Sequence, residues 1–119
     1  MAVTDARMRI EAEVLSWPGV ERKPHQFGGQ EYHINGREIG HIHGDALVDI
    51  PFPKKVRDAV VAEGFAQPHH ILPESGWVSF YLRDEEDIPR AIELLRRSYQ
   101  IAIDQKKRKE VEPEGIAHD

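Results

Sequence analysis

The chain of 119 residues contains no cysteine, and this absence restricts the chemistry that it can perform. Without cysteine there is no disulfide framework, no thiolate metal site and no thiol nucleophile. Histidine and carboxylate side chains remain, and the chain has seven histidines and 21 aspartates and glutamates. Any catalytic or metal-binding site is therefore expected to consist of these residues.

Two further features are missing, a long apolar run and an excess of positive charge. No segment approaches the roughly 18–20 apolar residues that span a bilayer, so we expect a cytoplasmic protein without membrane association. The formal net charge of −5 opposes sequence-independent binding to nucleic acid. The basic run 106–109 is followed by Glu110, Glu112 and Glu114, and we interpret it as a solvated helix end.

Length and composition indicate one folded domain. Apolar residues make up 39% and charged residues 31% of the chain, which is enough for one core beneath a solvated surface. We place a single domain at residues 1–104. A charged, disordered tail is expected at 105–119, because apolar periodicity stops there. The sequence does not indicate an oligomeric state.

Three segments have the apolar pattern of helices. The first, 4–16, is expected to bury Met8 and Leu15. The second and the third cover 54–63 and 87–104, and the third follows the helical period closely.

Strand patterns at 30–34, 37–43 and 46–50 predict an antiparallel meander. Asn35-Gly36 is typical of a type I′ hairpin turn, and Gly44-Asp45 of a type II′ turn. Since alternate residues of a strand share a face, these turns decide which side chains lie together. The predicted register puts Arg37 and the following residues on one face: Tyr32, Ile34, Ile39, His41, His43, Ala46, Val48 and Ile50. Asp49 is predicted on the opposite face.

A further strand at 76–82 is rich in aromatic and β-branched residues. The predicted fold class is α+β, an antiparallel sheet of four or five strands with an N-terminal helix, a middle helix and a long C-terminal helix packed on it. We expect the last helix to cover the histidine-bearing face.

The strongest candidate site is His41-Ile42-His43. Two imidazoles on one face of a strand lie about 6.5–7 Å apart at their origins, a separation that two ligands of one metal ion can share. Zinc or iron would need a third ligand, which His69 or His70 can supply. The pair is also compatible with a metal-free pocket or with structural histidines hydrogen-bonded in the core, so three alternatives stay open.

Other side chains are secondary candidates. If the histidine face lines a pocket, Arg37 can clamp an anionic or enolate oxygen there, although an ordinary hairpin ion pair with Glu38 explains it as well. Tyr32 and Trp77 are aromatic candidates for substrate contacts. No partner pattern assigns a role to His25, His33 or His118.

Several short motifs occur together in the chain: WPGV (17–20), FGG (27–29), REIGHIHGD (37–45), VDIPFP (48–53) and PHHILPESGWVSF (68–80). With the closing amphipathic helix they resemble the luciferase-like domain family, whose small bacterial members are similar to the C-terminal half of the fungal luciferases. The fungal resemblance covers about residues 37–103. The matching residues are Arg37, Glu38, His41, His43, Gly64, Gln67, His69 and Trp77.

The resemblance implies a reaction, because fungal luciferases oxidise a hydroxylated pyrone with molecular oxygen and need neither flavin nor metal. It implies that His41, His43 and His69, together with Arg37, act as general base and charge stabiliser on an enol. We therefore expect a small-molecule-binding protein with cofactor-independent, oxygenase-like chemistry on an enol or pyrone substrate, without light emission. A metal-binding protein, a metal-dependent enzyme and a non-catalytic binding module are the alternatives.

Overall fold

The computed structural model describes residues 3–111, with side chains for residues 3–108. Its helices are α1 (Ala6–Val14), α2 (Lys54–Ala62) and α3 (Asp87–Val111). Its strands are β1 (Glu21–Pro24), β2 (Gln30–Ile34), β3 (Arg37–His43), β4 (Leu47–Pro51), β5 (Gln67–Pro68) and β6 (Trp77–Tyr81). The predicted α+β class, with an N-terminal, a middle and a long C-terminal helix, is confirmed.

The described strands form one antiparallel sheet in the order β1-β2-β3-β4-β6-β5. It has six strands instead of the predicted four or five. Every residue of β1 is exposed and β5 has only two residues, so neither shows the alternation of apolar and polar residues by which a strand is recognised. Both lie at an edge of the sheet, where short or charged strands are tolerated.

Helix α3 covers the sheet face that does not carry the histidines, so the predicted placement of this helix is wrong. It packs on β3 and β4 and against α1. Leu95 of α3 lies so close to β3 that a Cβ on Gly40 would be 2.5 Å from Leu95 Cδ2. Ile42, Val48 and Ile50 are fully buried between the sheet and the helices.

The hairpin between β2 and β3 has the predicted turn, with φ of 53° at Asn35 and 80° at Gly36. Beyond the turn the register shifts, because Tyr32 pairs with Gly40 and His33 with Glu38. Ile39 is therefore the extra residue of a β-bulge. The bulge brings Glu38 to the face of His41, where strict alternation would not place it, and it brings Tyr32 to the opposite face.

The hairpin between β3 and β4 differs from the prediction by one residue. The Ala46 amide donates to the His43 carbonyl oxygen at 3.3 Å, but His43 pairs with Leu47 and His41 with Asp49. A shift of one residue moves every side chain of a strand to the other face. The predicted place of Asp49, away from the histidines, is therefore wrong.

The ends and faces of two helices also differ from the predictions. Helix α1 buries Ile10, Glu11 and Val14, whereas Met8 and Leu15 are 60% and 38% exposed. Helix α3 continues to Val111, past the boundary predicted at residue 104, and the rest of the predicted tail lies outside the described residues. Among residues 3–111, no helix has the length and apolar character needed to cross a bilayer.

Candidate functional site

The candidate site is built around the carboxylate of Asp49, whose side chain is buried in β4. Its Oδ2 atom lies 3.1 Å from His41 Nε2, 3.1 Å from His43 Nε2 and 3.2 Å from His70 Nε2. The Nε2 atom of His69 is 3.4 Å away. Four imidazoles thus converge on one carboxylate oxygen, and we call these five residues the histidine–aspartate cluster.

Three parts of the fold assemble this cluster. Strand β3 supplies His41 and His43, and the segment between β5 and β6 supplies His69 and His70. Ser79 of β6 joins the parts, because its hydroxyl donates to Asp49 Oδ1 at 2.9 Å and accepts from the His70 amide at 3.1 Å. The Ser79 hydroxyl therefore holds both the carboxylate and the histidine segment.

His41 is held between two carboxylates. Its Nδ1 lies 2.7 Å from Glu38 Oε2 and its Nε2 3.1 Å from Asp49 Oδ2. Since ionised carboxylates only accept hydrogen bonds, both ring nitrogens donate and the ring is an imidazolium. Burial opposes this charge, but the hydrogen bonds to Asp49 and Glu38 outweigh it and raise the pKa of His41 to about 9.

The same contacts keep Asp49 ionised. Burial alone would raise the pKa of a carboxyl group. Hydrogen bonds from His41, Ser79 and His70 overcome that effect and lower the pKa of Asp49 well below its usual value.

The proton of His69 can be placed on one nitrogen. Its Nδ1 accepts hydrogen bonds from the backbone amides of Ile71 at 3.1 Å and Leu72 at 3.0 Å. Burial lowers the pKa of His69, so the neutral ring carries its proton on Nε2, which faces Asp49. Burial likewise lowers the pKa of His43, and the positive charge of His41 adds to this effect against the hydrogen bond to Asp49.

His25, to which the sequence assigned no role, belongs to this site. Its ring stacks on His41 with the centroids 4.0 Å apart, and its Nδ1 lies 2.6 Å from Glu31 Oε2. Glu31 also contacts His33 Nε2 at 2.8 Å. The hydrogen bonds from His25 and His33 lower the pKa of Glu31, so a carboxylate orients the His25 ring.

A cavity of about 530 Å³ opens beside the cluster. Trp77 forms part of its wall, with its ring 5.1 Å from that of His41. The apolar side chains Phe27, Ile71 and Leu72 are 100%, 70% and 52% exposed and also line it. The cavity is thus polar and charged at its base and apolar towards solvent.

The structure brings together most of the predicted site residues, which are His41, His43, His69, His70 and Trp77. Tyr32 is not among them, because it is fully buried on the other face and donates to Glu11 Oε2 at 2.9 Å. Arg37 pairs with Ile34 on that same face and is not part of the cavity wall. The predicted positions of Tyr32 and Arg37 are therefore wrong, and His118 lies outside the described residues.

Asp49, Glu38 and His25 were not predicted to take part in the site. The sequence could have identified Asp49, because it is an acidic residue in an otherwise apolar strand and a buried carboxylate needs partners. Glu38 depends on a bulge, and His25 precedes the short 3₁₀ turn Gln26–Gly28, so neither follows from alternation along a strand.

Three groups of side chains among the described residues have the spacing of metal ligands, with all ligand atoms of a group within 4.8 Å of one another. The groups are His25, His41 and His43; His43, Asp49 and His70; and Glu31, His33 and Glu38. His69 belongs to none of them, and its Nδ1 accepts hydrogen bonds from two backbone amides. Three members of the predicted ligand set of His41, His43, His69 and His70 occur in these groups, and the set itself stays a prediction.

Comparison with known proteins gives one finding. The Luciferase domain family model matches residues 36–98, which is more than half of the chain and includes the whole histidine–aspartate cluster and Trp77. No match was found among the curated proteins or among the solved structures.

Proposed function

Since the chain belongs to the luciferase domain family, we propose that it binds an enol- or pyrone-type small molecule and acts on it as an oxygenase-like enzyme. The observation that carries this proposal is the cavity of about 530 Å³ with five imidazoles, an indole and apolar side chains in its wall. Ligand sites commonly enclose about 300–1,000 Å³ and combine apolar walls with a few polar groups.

The composition of the wall favours a flat ligand that carries an acidic hydroxyl group. Trp77 offers an aromatic surface beside His41, and Phe27, Ile71 and Leu72 offer apolar surface near the opening. The imidazolium of His41 supplies positive charge next to this surface. A ring system with an enolate oxygen matches this distribution of charge and apolar area.

His25 is our candidate for the general base. Its Nδ1 is hydrogen-bonded to Glu31, so the ring is oriented as the histidine of a catalytic triad is by its carboxylate. This leaves Nε2 to take the proton of an enol hydroxyl. Both nitrogens of His41 are occupied by carboxylates, so His41 acts on the resulting enolate through its charge, before the enolate meets molecular oxygen.

The proposal is tested with a series of 4-hydroxy-2-pyrones and their 4-methoxy analogues, which lack the acidic hydroxyl. Calorimetry is expected to give a Kd at least about 10-fold lower for the hydroxy compounds, a difference of about 1.4 kcal/mol. Oxygen consumption is expected only with the hydroxy compounds. The proposal fails if neither series binds, or if both bind with the same Kd and no oxygen is consumed.

A matched pair of variants tests the role of His25. His25→Ala is expected to lower the rate of oxygen consumption by about 100- to 10,000-fold, the usual contribution of a general base. His33→Ala is the control, because His33 shares the sheet face and the Glu31 carboxylate but not the cavity wall. Equal losses in the two variants would contradict the assignment of His25.

A further inference from the structure

The Oδ2 atom of Asp49 has more neighbours than hydrogen bonding explains. Nε2 atoms of His41, His43, His70 and His69 lie at 3.1, 3.1, 3.2 and 3.4 Å from it. A carboxylate oxygen offers about two lone pairs, so four N–H groups cannot all donate to it in good geometry. Some of these nitrogens are therefore free for another role.

Hydrogen bonding divides the four imidazoles into two pairs. His41 donates to Asp49 because its other nitrogen is held by Glu38. His69 keeps its proton on Nε2, 3.4 Å from Asp49 Oδ2, because its Nδ1 accepts two backbone amides. The Nε2 atoms of His43 and His70 are hydrogen-bonded to Asp49 in the metal-free protein. No hydrogen bond holds their Nδ1 atoms among the described residues, so each ring can carry its proton on Nδ1 and offer the Nε2 lone pair to a metal ion.

From this arrangement we propose that His43, Asp49 and His70 bind one divalent transition-metal ion at the base of the cavity. The Nε2 atoms of His43 and His70 lie 3.1 and 3.2 Å from Asp49 Oδ2. Ligand atoms at about 2.0–2.2 Å from one ion, with angles between 90° and 109°, lie about 2.8–3.6 Å apart. Both distances to Asp49 are thus those of neighbouring ligands around one ion, and all three ligand atoms lie within 4.8 Å of one another.

The ligand types decide the class of ion. Two imidazoles and one carboxylate suit iron(II), zinc and other divalent first-row metals, whereas magnesium and calcium prefer oxygen ligands. Three protein ligands also leave coordination positions for water or an oxygen-bearing ligand. Since His43, Asp49 and His70 all line the cavity, these open positions face the space of the proposed enol ligand.

The surrounding residues fit the role of outer partners, which orient metal ligands through hydrogen bonds. His41 donates to the Asp49 carboxylate, and His69 Nε2 lies 3.4 Å from it. Ser79 donates to the other oxygen of Asp49 and accepts from the His70 backbone, so it sets the distance between two ligands that come from different parts of the chain. We assign Ser79 as a positioning residue of the metal site.

The metal proposal goes beyond the proposed function, whose chemistry needs no metal, and departs from the cofactor-free reaction that the family resemblance implies. Its test therefore uses the ion alone. Untagged protein is freed of metal with a chelator and titrated with Co²⁺, followed by visible absorption, and with Zn²⁺ and anaerobic Fe²⁺ by calorimetry. We expect one equivalent per chain, and no binding of Mg²⁺ under the same conditions.

Substitutions of single residues test which side chains bind the ion. His43→Ala and His70→Ala are expected to weaken Co²⁺ binding by more than about 100-fold, because loss of an outer partner already costs about 10- to 100-fold. Ser79→Ala is expected to weaken Co²⁺ binding by about 10- to 100-fold, as the loss of an outer partner does. His70 is exposed, so its variant is expected to fold, as circular dichroism will show, even if His43→Ala does not.

His25→Ala and His33→Ala are the controls, and each represents a competing group. Both are expected to bind Co²⁺ with a Kd within about two-fold of the wild type. Loss of binding in His25→Ala with retention in His70→Ala would move the ion to His25, His41 and His43 and overturn the proposal. Loss in His33→Ala would move it to Glu31 and Glu38, and failure to bind one equivalent would remove it altogether.

The two proposals can fail separately. The pyrone titration is carried out on metal-free and on metal-loaded protein, while the metal titration contains no pyrone. Pyrone binding without any metal binding would leave the proposed function and overturn the metal site. Metal binding without pyrone binding would do the reverse.

Discussion

At the scale of single residues, one buried carboxylate explains the character of the site. Asp49 is fully buried, and an ionised carboxylate away from water is stable only with charged or hydrogen-bonding partners. Ser79 and the surrounding imidazoles supply them. The histidines are thus not isolated polar groups in an apolar core, because they and Asp49 form one polar layer on the face of the sheet opposite α3.

Tyr32 provides a test that separates stability from function. Tyr32→Phe removes its hydrogen bond to Glu11, which is buried and charge-assisted, and is expected to lower the free energy of unfolding by about 1–2 kcal/mol. Pyrone and metal binding are expected to stay unchanged, since Tyr32 lies on the other face. Urea denaturation and calorimetry measure the two effects, with Tyr81→Phe as the control, and a change in ligand affinity would contradict the placement.

Glu31 gives a prediction for the pH dependence of stability. Hydrogen bonds from His25 and His33 lower its pKa from the usual 4.5. A lowered folded-state pKa contributes stability that is fully present above pH 4.5 and is lost as the pH falls through the folded-state value. Glu31→Gln is therefore expected to cost about 1–2 kcal/mol at pH 7, and the difference from wild type is expected to shrink below pH 4.5.

Urea denaturation between pH 2.5 and pH 7 measures this difference, within the range of about 2–7 over which carboxylates titrate. Glu86→Gln, at an exposed position of the chain, is the control and is expected to show no such trend. A cost of Glu31→Gln that stays constant down to the lowest pH would contradict the role of the ionised carboxylate.

At the scale of elements, the sequence predicted the strands better than their register. The Asn35-Gly36 turn was predicted correctly because a type I′ turn requires positive φ at both positions. The next loop contains one residue more than predicted, Ala46, and nothing in its side chain marks it as a loop residue. That residue alone moved Asp49 to the histidine face, so the central group of the site depended on the least predictable part of the hairpin.

The close approach of α3 to β3 gives a prediction at this scale. Gly40→Ala would bring a Cβ to 2.5 Å from Leu95 Cδ2, and such overpacking is expected to cost about 1–3 kcal/mol. Leu95→Ala removes the contact but leaves a cavity, at about 2–5 kcal/mol. In the double variant the new methyl group fills part of that space, so the total is expected to be about 1 kcal/mol or more below the sum.

Denaturant unfolding of the two single variants and the double variant completes this cycle. Additive costs would show that Gly40 and Leu95 are not in contact, and would place α3 elsewhere on the sheet. The prediction placed α3 on the wrong face of the sheet, so this cycle directly tests the observed position of the helix.

At the scale of the whole molecule, some parts of the site could be predicted from the sequence and others could not. The α+β class and the helices followed from apolar periodicity, and the family match follows from the segment 36–98. The side chains from outside that segment, His25 and Glu31, reach the site because β2 pairs with β3 and the preceding 3₁₀ turn folds over it. Contacts between segments distant in sequence depend on the assembled fold, and no local pattern encodes them.

The site also joins two parts of the molecule that differ in burial. Strands β3 and β4 lie in the middle of the sheet, whereas the segment of His69 and His70 connects two strands and exposes Ile71 and Leu72. Segments with few buried contacts open locally without global unfolding. An ion bound by His43, Asp49 and His70 would link this segment to strands β3 and β4 and stabilise its position on the sheet.

This difference predicts which backbone amides metal binding protects from hydrogen exchange. Hydrogen exchange of the Ile71 and Leu72 amides, which donate to His69, is expected to slow by more than about 10-fold on adding Zn²⁺, because local opening then requires loss of the ion. Amides that exchange only by global unfolding are expected to gain protection by the amount that metal linkage adds to stability, about 2.7 kcal/mol at 100 times the Kd. In His70→Ala both effects are expected to disappear. Protection confined to α1 and α3, or persisting in His70→Ala, would mean that the ion does not bridge the segment and the sheet.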